Sequence, residues 1–157
     1  MVISLNTLSK TLKVPIDHIL NYKEHPEAAK YDGCEFKIDN RKYIFRTAKV
    51  TPKKIGFFVT LWKRDKSNIT VPLNKQDNFH ALILVCTEES HKGLFLFSKE
   101  VLSIKGVLST SNKAQDGKRG FRVYAPWSKP ESKQAFATKT WQVNYFLKED
   151  QLSLLSS

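Results

Sequence analysis

The sequence predicts an α+β fold, one compact domain with a mixed sheet of five or six strands flanked by helices. Three observations predict it. Apolar residues recur at helical spacing near the amino terminus, and from Cys34 onward the period becomes two. Residues 79–86 are a continuous apolar run, the pattern of a strand buried on both faces. The chain has 157 residues, 41% hydrophobic and 26% charged. That is long enough to bury a core without disulfides and too apolar for disorder.

The elements follow in order. Leu5, Leu8 and Leu12 stand at i, i+3 and i+7 behind Ser4, which predicts a short capped helix. Pro15 opens a second helix through Ile16, Ile19 and Leu20, and 27–30 form one more turn closed at Asp32-Gly33. Residues 1–33 are thus read as a helical arm and 34–157 as the α+β core. Strands over 34–39 and 42–50 are joined at Asn40-Arg41, and after the turn 51–54 a long strand covers 55–64. The apolar run 79–86 is followed by a turn at 91–93 and a strand at 94–97. Ser98 caps a helix that Gly106 stops. A polar loop, 109–117, leads to a strand over 118–125, and 130–148 carry a carboxy-terminal helix.

Charge points to the kind of partner. The net charge is +11, and its excess lies in two blocks. Residues 37–66 hold ten basic and two acidic residues, and 92–139 hold ten and three. Two basic blocks around a slightly acidic one predict an anion-binding face. Alternation along 57–64 sends Phe57, Val59 and Leu61 inward and leaves Phe58, Thr60, Trp62 and Arg64 opposite. In 120–124 it separates Phe121 and Val123 from Arg122 and Tyr124. If those mixed faces share one side of the sheet, rings and cations form a platform for bases and phosphates. The competing reading buries the rings under helices and lets the arginine heads reach solvent. Lys49, Lys53 and Lys54 at one turn, Lys63 beside Arg64, and Lys118-Arg119 at the end of the polar loop add phosphate-binding candidates.

Catalytic patterns are weak. The four histidines and two cysteines lack metal-ligand spacing, and no nucleophile elbow, P-loop or dinucleotide fingerprint occurs. A metal-dependent nuclease needs clustered carboxylates with a lysine. Its half-motif recurs three times, at Glu35-Phe-Lys37, Asp116-Gly-Lys118 and Glu131-Ser-Lys133, so it carries little information. Asp77, Glu35 and Glu88 are the carboxylates such an enzyme would use. No cofactor is expected, Mg²⁺ entering only under that alternative. No signal peptide or membrane span is read, so the expected location is cytoplasmic.

The same residues carry a resemblance. The blocks Tyr31-Asp-Gly-Cys-Glu-Phe-Lys-Ile-Asp39, Ala48-Lys-Val-Thr-Pro-Lys-Lys-Ile-Gly-Phe-Phe-Val-Thr-Leu-Trp-Lys-Arg64, Gly93-Leu-Phe-Leu-Phe97 and Arg119-Gly-Phe-Arg-Val-Tyr-Ala-Pro-Trp127, with Gln134, Trp141 and Gln142, resemble the MepB family. The resemblance implies a small bacterial cytoplasmic protein, in some bacteria encoded beside a multidrug efflux pump and its repressor. It implies a core similar to the PD-(D/E)xK nucleases, and nucleic-acid or nucleotide binding. The residues it carries over are Lys49, Lys54, Thr60, Trp62, Lys63, Arg64, Arg122, Tyr124 and Trp127. The expected function is therefore a binder of single-stranded or duplex nucleic acid, or of nucleotides. The alternatives are a Mg²⁺-dependent nuclease or nucleotide hydrolase, and a protein-interaction module.

Overall fold

A computed structural model describes residues 3–110 and 116–156. Helix α1 (Leu5–Leu12) begins where Ser4 accepts a hydrogen bond from the Thr7 N–H, and it buries Leu8 and Leu12 completely. The second expected helix is not formed. Only one 3-10 turn, Ile16–His18, precedes strand β1 (Leu20–Glu24). Of the three apolar residues spaced there only Ile19 is buried, while Ile16 and Leu20 stay exposed, so no helical face is covered. The backbone instead satisfies its polar groups by antiparallel pairing with β2 (Cys34–Ile38), across a bulge. The amino-terminal segment is therefore part helix and part sheet edge. Its Leu8, Leu12, Val14 and Ile19 pack in one cluster with Phe36 and Phe45.

Strand β3 (Arg41–Thr47) turns back from β2 through Asp39 and Asn40, both at positive φ, one residue earlier than the sequence reading placed the turn. Such a two-residue turn matches the right-handed twist of its strands. The expected strand 42–50 is divided at Ala48, whose N–H donates to the Val85 carbonyl. Beyond it β4 (Lys49–Thr51) and β5 (Lys54–Thr60) belong to a second sheet. The expected strand 55–64 is likewise divided at Leu61, whose N–H is taken by the Arg119 carbonyl. The short β6 (Trp62–Arg64) then pairs only with β7 (Thr70–Pro72).

Strand β8 (Ala81–Glu88) is the apolar run. Residues 81–86 are all buried, with β3 parallel on one side and β9 (His91–Ser98) antiparallel on the other. The turn between β8 and β9 is at 89–90, earlier than expected. Ser98 caps α2 (Lys99–Ile104), as the sequence predicts. After β10 (Gly120–Val123), helix α3 (Lys133–Gln142) ends six residues short of expectation. A 3-10 turn leads into β11 (Phe146–Lys148), which completes the sheet order β1-β2-β3-β8-β9-β11. Phe146 takes a strand conformation because its ring lies over Gly93, where a side chain would collide with it, and packs edge-on against Phe95 at 5.0 Å.

The six-stranded sheet thus has a core on each face. α1 covers one face. The three-stranded sheet β10-β5-β4 covers the other, where Phe57, Val59, Phe121 and Val123 meet Leu82, Leu84, Phe95 and Phe97. No helix of the described residues is long and apolar enough to cross a membrane. Cys34 and Cys86 are free and buried, and burial pushes both thiols up, Cys34 to about 12.

A buried polar chain ties the 26–31 turn to the sheet. The Arg46 guanidinium, 1% exposed, donates to the Phe45 carbonyl at 2.9 Å and to Nδ1 of His25 at 3.0 Å. That fixes His25 as the tautomer whose Nε2–H donates to Glu35, at 2.8 Å, while Lys42 pairs with the other Glu35 oxygen. Burial lowers the His25 pKa, against the hydrogen bond to Glu35, and the Arg46 charge adds to the lowering. Between the folded pKa and the ordinary value near 6.5 the unfolded chain therefore binds the extra proton, so stability falls as pH falls through that window. The thermal midpoint is expected to drop between pH 7.5 and 5.5. His25→Gln, which cannot titrate there, should flatten that drop. An unchanged slope in His25→Gln would refute the assignment.

Candidate functional site

The register of the small sheet builds a row of side chains on its outer face. Arg122 stands opposite Phe58, and Phe58 stands opposite Lys49. Phe57, Val59, Phe121 and Val123 point the other way and are buried, as alternation requires. Gly120 lets the Phe58 ring lie across the neighbouring strand, since a Cβ there would come within 2.7 Å of Phe58 Cζ. Gly56, at φ +91°, does the same for Tyr124, whose Cδ1 would be 2.9 Å from a Cβ. The Arg122 guanidinium lies 6.0 Å from the Phe58 ring centre, and its Nη1 donates to the Ile55 carbonyl at 3.1 Å. Thr60, Arg122 and Tyr124 thus share one face, with Lys49 at the far end of the row over the Tyr31 ring.

The rest of the expected platform is dispersed. The break at Leu61 carries Trp62 and Arg64 onto the β6–β7 ribbon, where the Arg64 guanidinium covers the Trp62 ring at 5.4 Å. Lys63 is paired with the Asp77 carboxylate at 2.5 Å. Arg119 donates twice to the Thr70 carbonyl, at 3.2 and 3.1 Å, tying its loop to the same ribbon. Trp127 donates to Glu88 at 3.0 Å and stacks on His91 with ring centres 4.9 Å apart. These contacts give Lys63, Arg119 and Trp127 structural partners in place of a shared face with Arg122.

A cavity of about 400 Å³ opens between α3 and the free edge of β10. Lys118, Arg122 and Tyr124 line it from the strand side, and Lys105 and Val107 from the turn after α2. α3 contributes Gln134, Ala135, Thr138, Trp141 and Gln142, one stripe of the helix at i, i+1, i+4, i+7 and i+8. The Lys105 ammonium sits 5.2 Å from the Trp141 ring centre. Gln142, 1% exposed, closes the β10 edge as a strand would. Its Oε1 accepts from the Tyr124 N–H at 2.8 Å, and its Nε2 donates to the Arg122 carbonyl at 3.1 Å. Among the described residues no carboxylate lines this cavity.

A second cavity, about 260 Å³, shares Arg122, Tyr124, Ser132 and Ala135 with the first and adds Lys53 and Lys54, together with one carboxylate, Glu131. A third, about 590 Å³, lies beyond Lys53 and Lys54, where Glu88 and Glu89 face Lys129. The carboxylates of the nuclease alternative are held apart by their own partners: Glu35 with His25 and Lys42, Asp77 with Lys63, Glu88 with Trp127. Among the described residues no three His, Cys, Asp or Glu side chains cluster as metal ligands.

The MepB-like family model matches residues 25–148. The chain belongs to the MepB-like family. It is similar to the crystal structure of MepB, with 33% sequence identity, a TM-score of 0.82, and coverage of 96% of this chain and 99% of that one. No curated protein matches it. The MepB-like span contains every residue of the two adjoining cavities and leaves α1 outside. Sequence reasoning missed Lys105 and Thr138 altogether. Trp141 is expected on the carboxy-terminal helix, and Gln134 and Gln142 enter through the MepB resemblance. Their spacing on one face of α3, polar where a core stripe would be apolar, was the available signal.

Proposed function

We propose that this MepB-like protein binds nucleic acid or nucleotides in the groove between α3 and β10. The observation that carries the reading is the convergence of Lys105, Lys118 and Arg122 on a cavity that also holds the Phe121, Tyr124 and Trp141 rings and that no described carboxylate lines. Cations without counter-charges, beside rings, are what phosphates and bases require. The net charge of +11 adds long-range attraction for a polyanion. Two free buried cysteines fit a reducing compartment, and with the family resemblance they support a place in the bacterial cytoplasm.

The test is fluorescence anisotropy of labelled oligonucleotides between about 50 and 200 mM salt. Saturable binding is expected. Engagement of three phosphates would weaken it by roughly 20- to 40-fold across that range. Lys118→Ala and Arg122→Ala should each weaken binding and reduce the logarithmic salt slope by about 0.7–0.9. If the double variant, still folded by circular dichroism, binds as the parent does, the site is misassigned.

A further inference from the structure

We infer that the groove takes a single strand, threaded from one cavity to the next past Arg122 and Tyr124, and does not accept a duplex. This rests on the nucleic-acid reading above and narrows it. The first argument is continuity. The 400 and 260 Å³ cavities share Arg122 and Tyr124 as a common wall, so they are neighbouring compartments of one channel. Cations recur along it, Lys105 and Lys118 at one end, Arg122 in the middle, Lys53 and Lys54 at the other, and they outnumber the one carboxylate that lines it, Glu131. A strand presents phosphates at such repeats, whereas a free mononucleotide fills one compartment and forgoes the rest.

The second argument is width. α3 is fastened to its surroundings in two places. Gln142 bonds both main-chain groups of the β10 edge, and the Lys139 ammonium donates to the Pro126 and Ser128 carbonyls at 3.0 and 2.7 Å. These bonds hold the carboxy-terminal half of α3 against β10. The 400 Å³ compartment is of small-ligand size and the 260 Å³ one is smaller, so a single strand can enter them where a duplex would meet only their rims.

The third is chemistry. The exposed Gln134 amide, and the Thr138 hydroxyl oxygen, whose own hydrogen goes to the Gln134 carbonyl, offer hydrogen-bonding groups in the lining of the compartment that Tyr124 shares. Such groups address base edges that are free in a single strand and paired in a duplex. The track also has an end. Past Lys53 and Lys54 the third cavity sets Glu88 and Glu89 beside Lys129, so acids offset the cations there and phosphate binding is concentrated on a few nucleotides.

The experiment uses the full chain, a labelled strand of about 12 nucleotides, longer than the footprint and within the usual range of single-strand sites, the same strand annealed to its complement, and a nucleoside monophosphate as competitor. The single strand is expected to bind at least tenfold more tightly than the duplex. The monophosphate should compete only at concentrations roughly a hundredfold higher. Tyr124→Leu should weaken single-strand binding by about 5- to 100-fold, the loss expected from one stacked base, without changing the salt slope. Tyr124→Phe should retain it, which separates stacking from a folding defect. The Lys53→Ala, Lys54→Ala double variant should lower the salt slope by about 1.4. A duplex bound as tightly as the strand overturns this inference and leaves the nucleic-acid reading standing. A monophosphate bound as tightly, or Tyr124→Leu at parental affinity, overturns the threading. No oligonucleotide binding at all overturns both.

Discussion

Gln142→Leu is expected to lower folding stability by about 2–5 kcal/mol. The side chain is 1% exposed and bonds the Tyr124 N–H and the Arg122 carbonyl, two main-chain groups on a strand edge that no further strand covers. Leucine has nearly the same volume and keeps the contacts, so the change isolates hydrogen bonding from packing. Each group left unpaired in a buried setting costs roughly 1–3 kcal/mol, because neither protein nor water replaces the lost partner. Thr140→Ala, on the exposed side of the same helix, should stay within about 0.5 kcal/mol of the parent. Urea unfolding is the measurement, with an unchanged m-value confirming that the midpoint shift reports stability. A loss below about 1 kcal/mol for Gln142→Leu would mean that water reaches the β10 edge and that α3 is not held there.

What could be read from the sequence followed the range of the signal. The caps at Ser4 and Ser98, the inward alternation of Phe57, Val59 and Leu61, and the doubly buried 81–86 run are local patterns, and each is realised. The divisions at Ala48 and Leu61 leave burial unchanged, so alternation passes through them without trace. Both are set by distant carbonyls, those of Val85 and Arg119. β1 and β11 are edge strands whose pairing partners lie ten or more residues away, and helical spacing there competed with sheet edges that one sequence does not display. The candidate site divides in the same way. Arg122 and Tyr124 follow from alternation along one strand. Lys63 and Arg119 look equivalent to Lys118 in a list of cations, but Asp77 matches the first and the Thr70 carbonyl holds the second. Which helix covers the β10 edge is a long-range fact, and it decides that Lys105, Thr138 and Trp141 join the groove.

Gly56→Ala should cost about 2–4 kcal/mol and weaken single-strand binding together with stability. Two separate effects meet at this residue. Its φ of +91° is a conformation that alanine adopts only under strain of order 1–3 kcal/mol. An alanine Cβ would also stand 2.7 Å from the Val123 carbonyl oxygen, which belongs to backbone pinned by the Val123–Phe57 pairing and cannot retreat. The Tyr124 ring, 2.9 Å away, can move, but only by leaving the wall shared by the two compartments. Gly120→Ala is the informative comparison. There the nearest atom, Phe58 Cζ at 2.7 Å, is the end of a side chain, and the Val59 carbonyl at 3.1 Å is merely tight. Its loss should be nearer 1 kcal/mol, with Phe58 turning aside. Denaturation midpoints of the two variants rank backbone strain against side-chain crowding. If Gly56→Ala proves no costlier than Gly120→Ala, the positive φ contributes little, and Tyr124 is not held over Gly56 by the backbone beneath it.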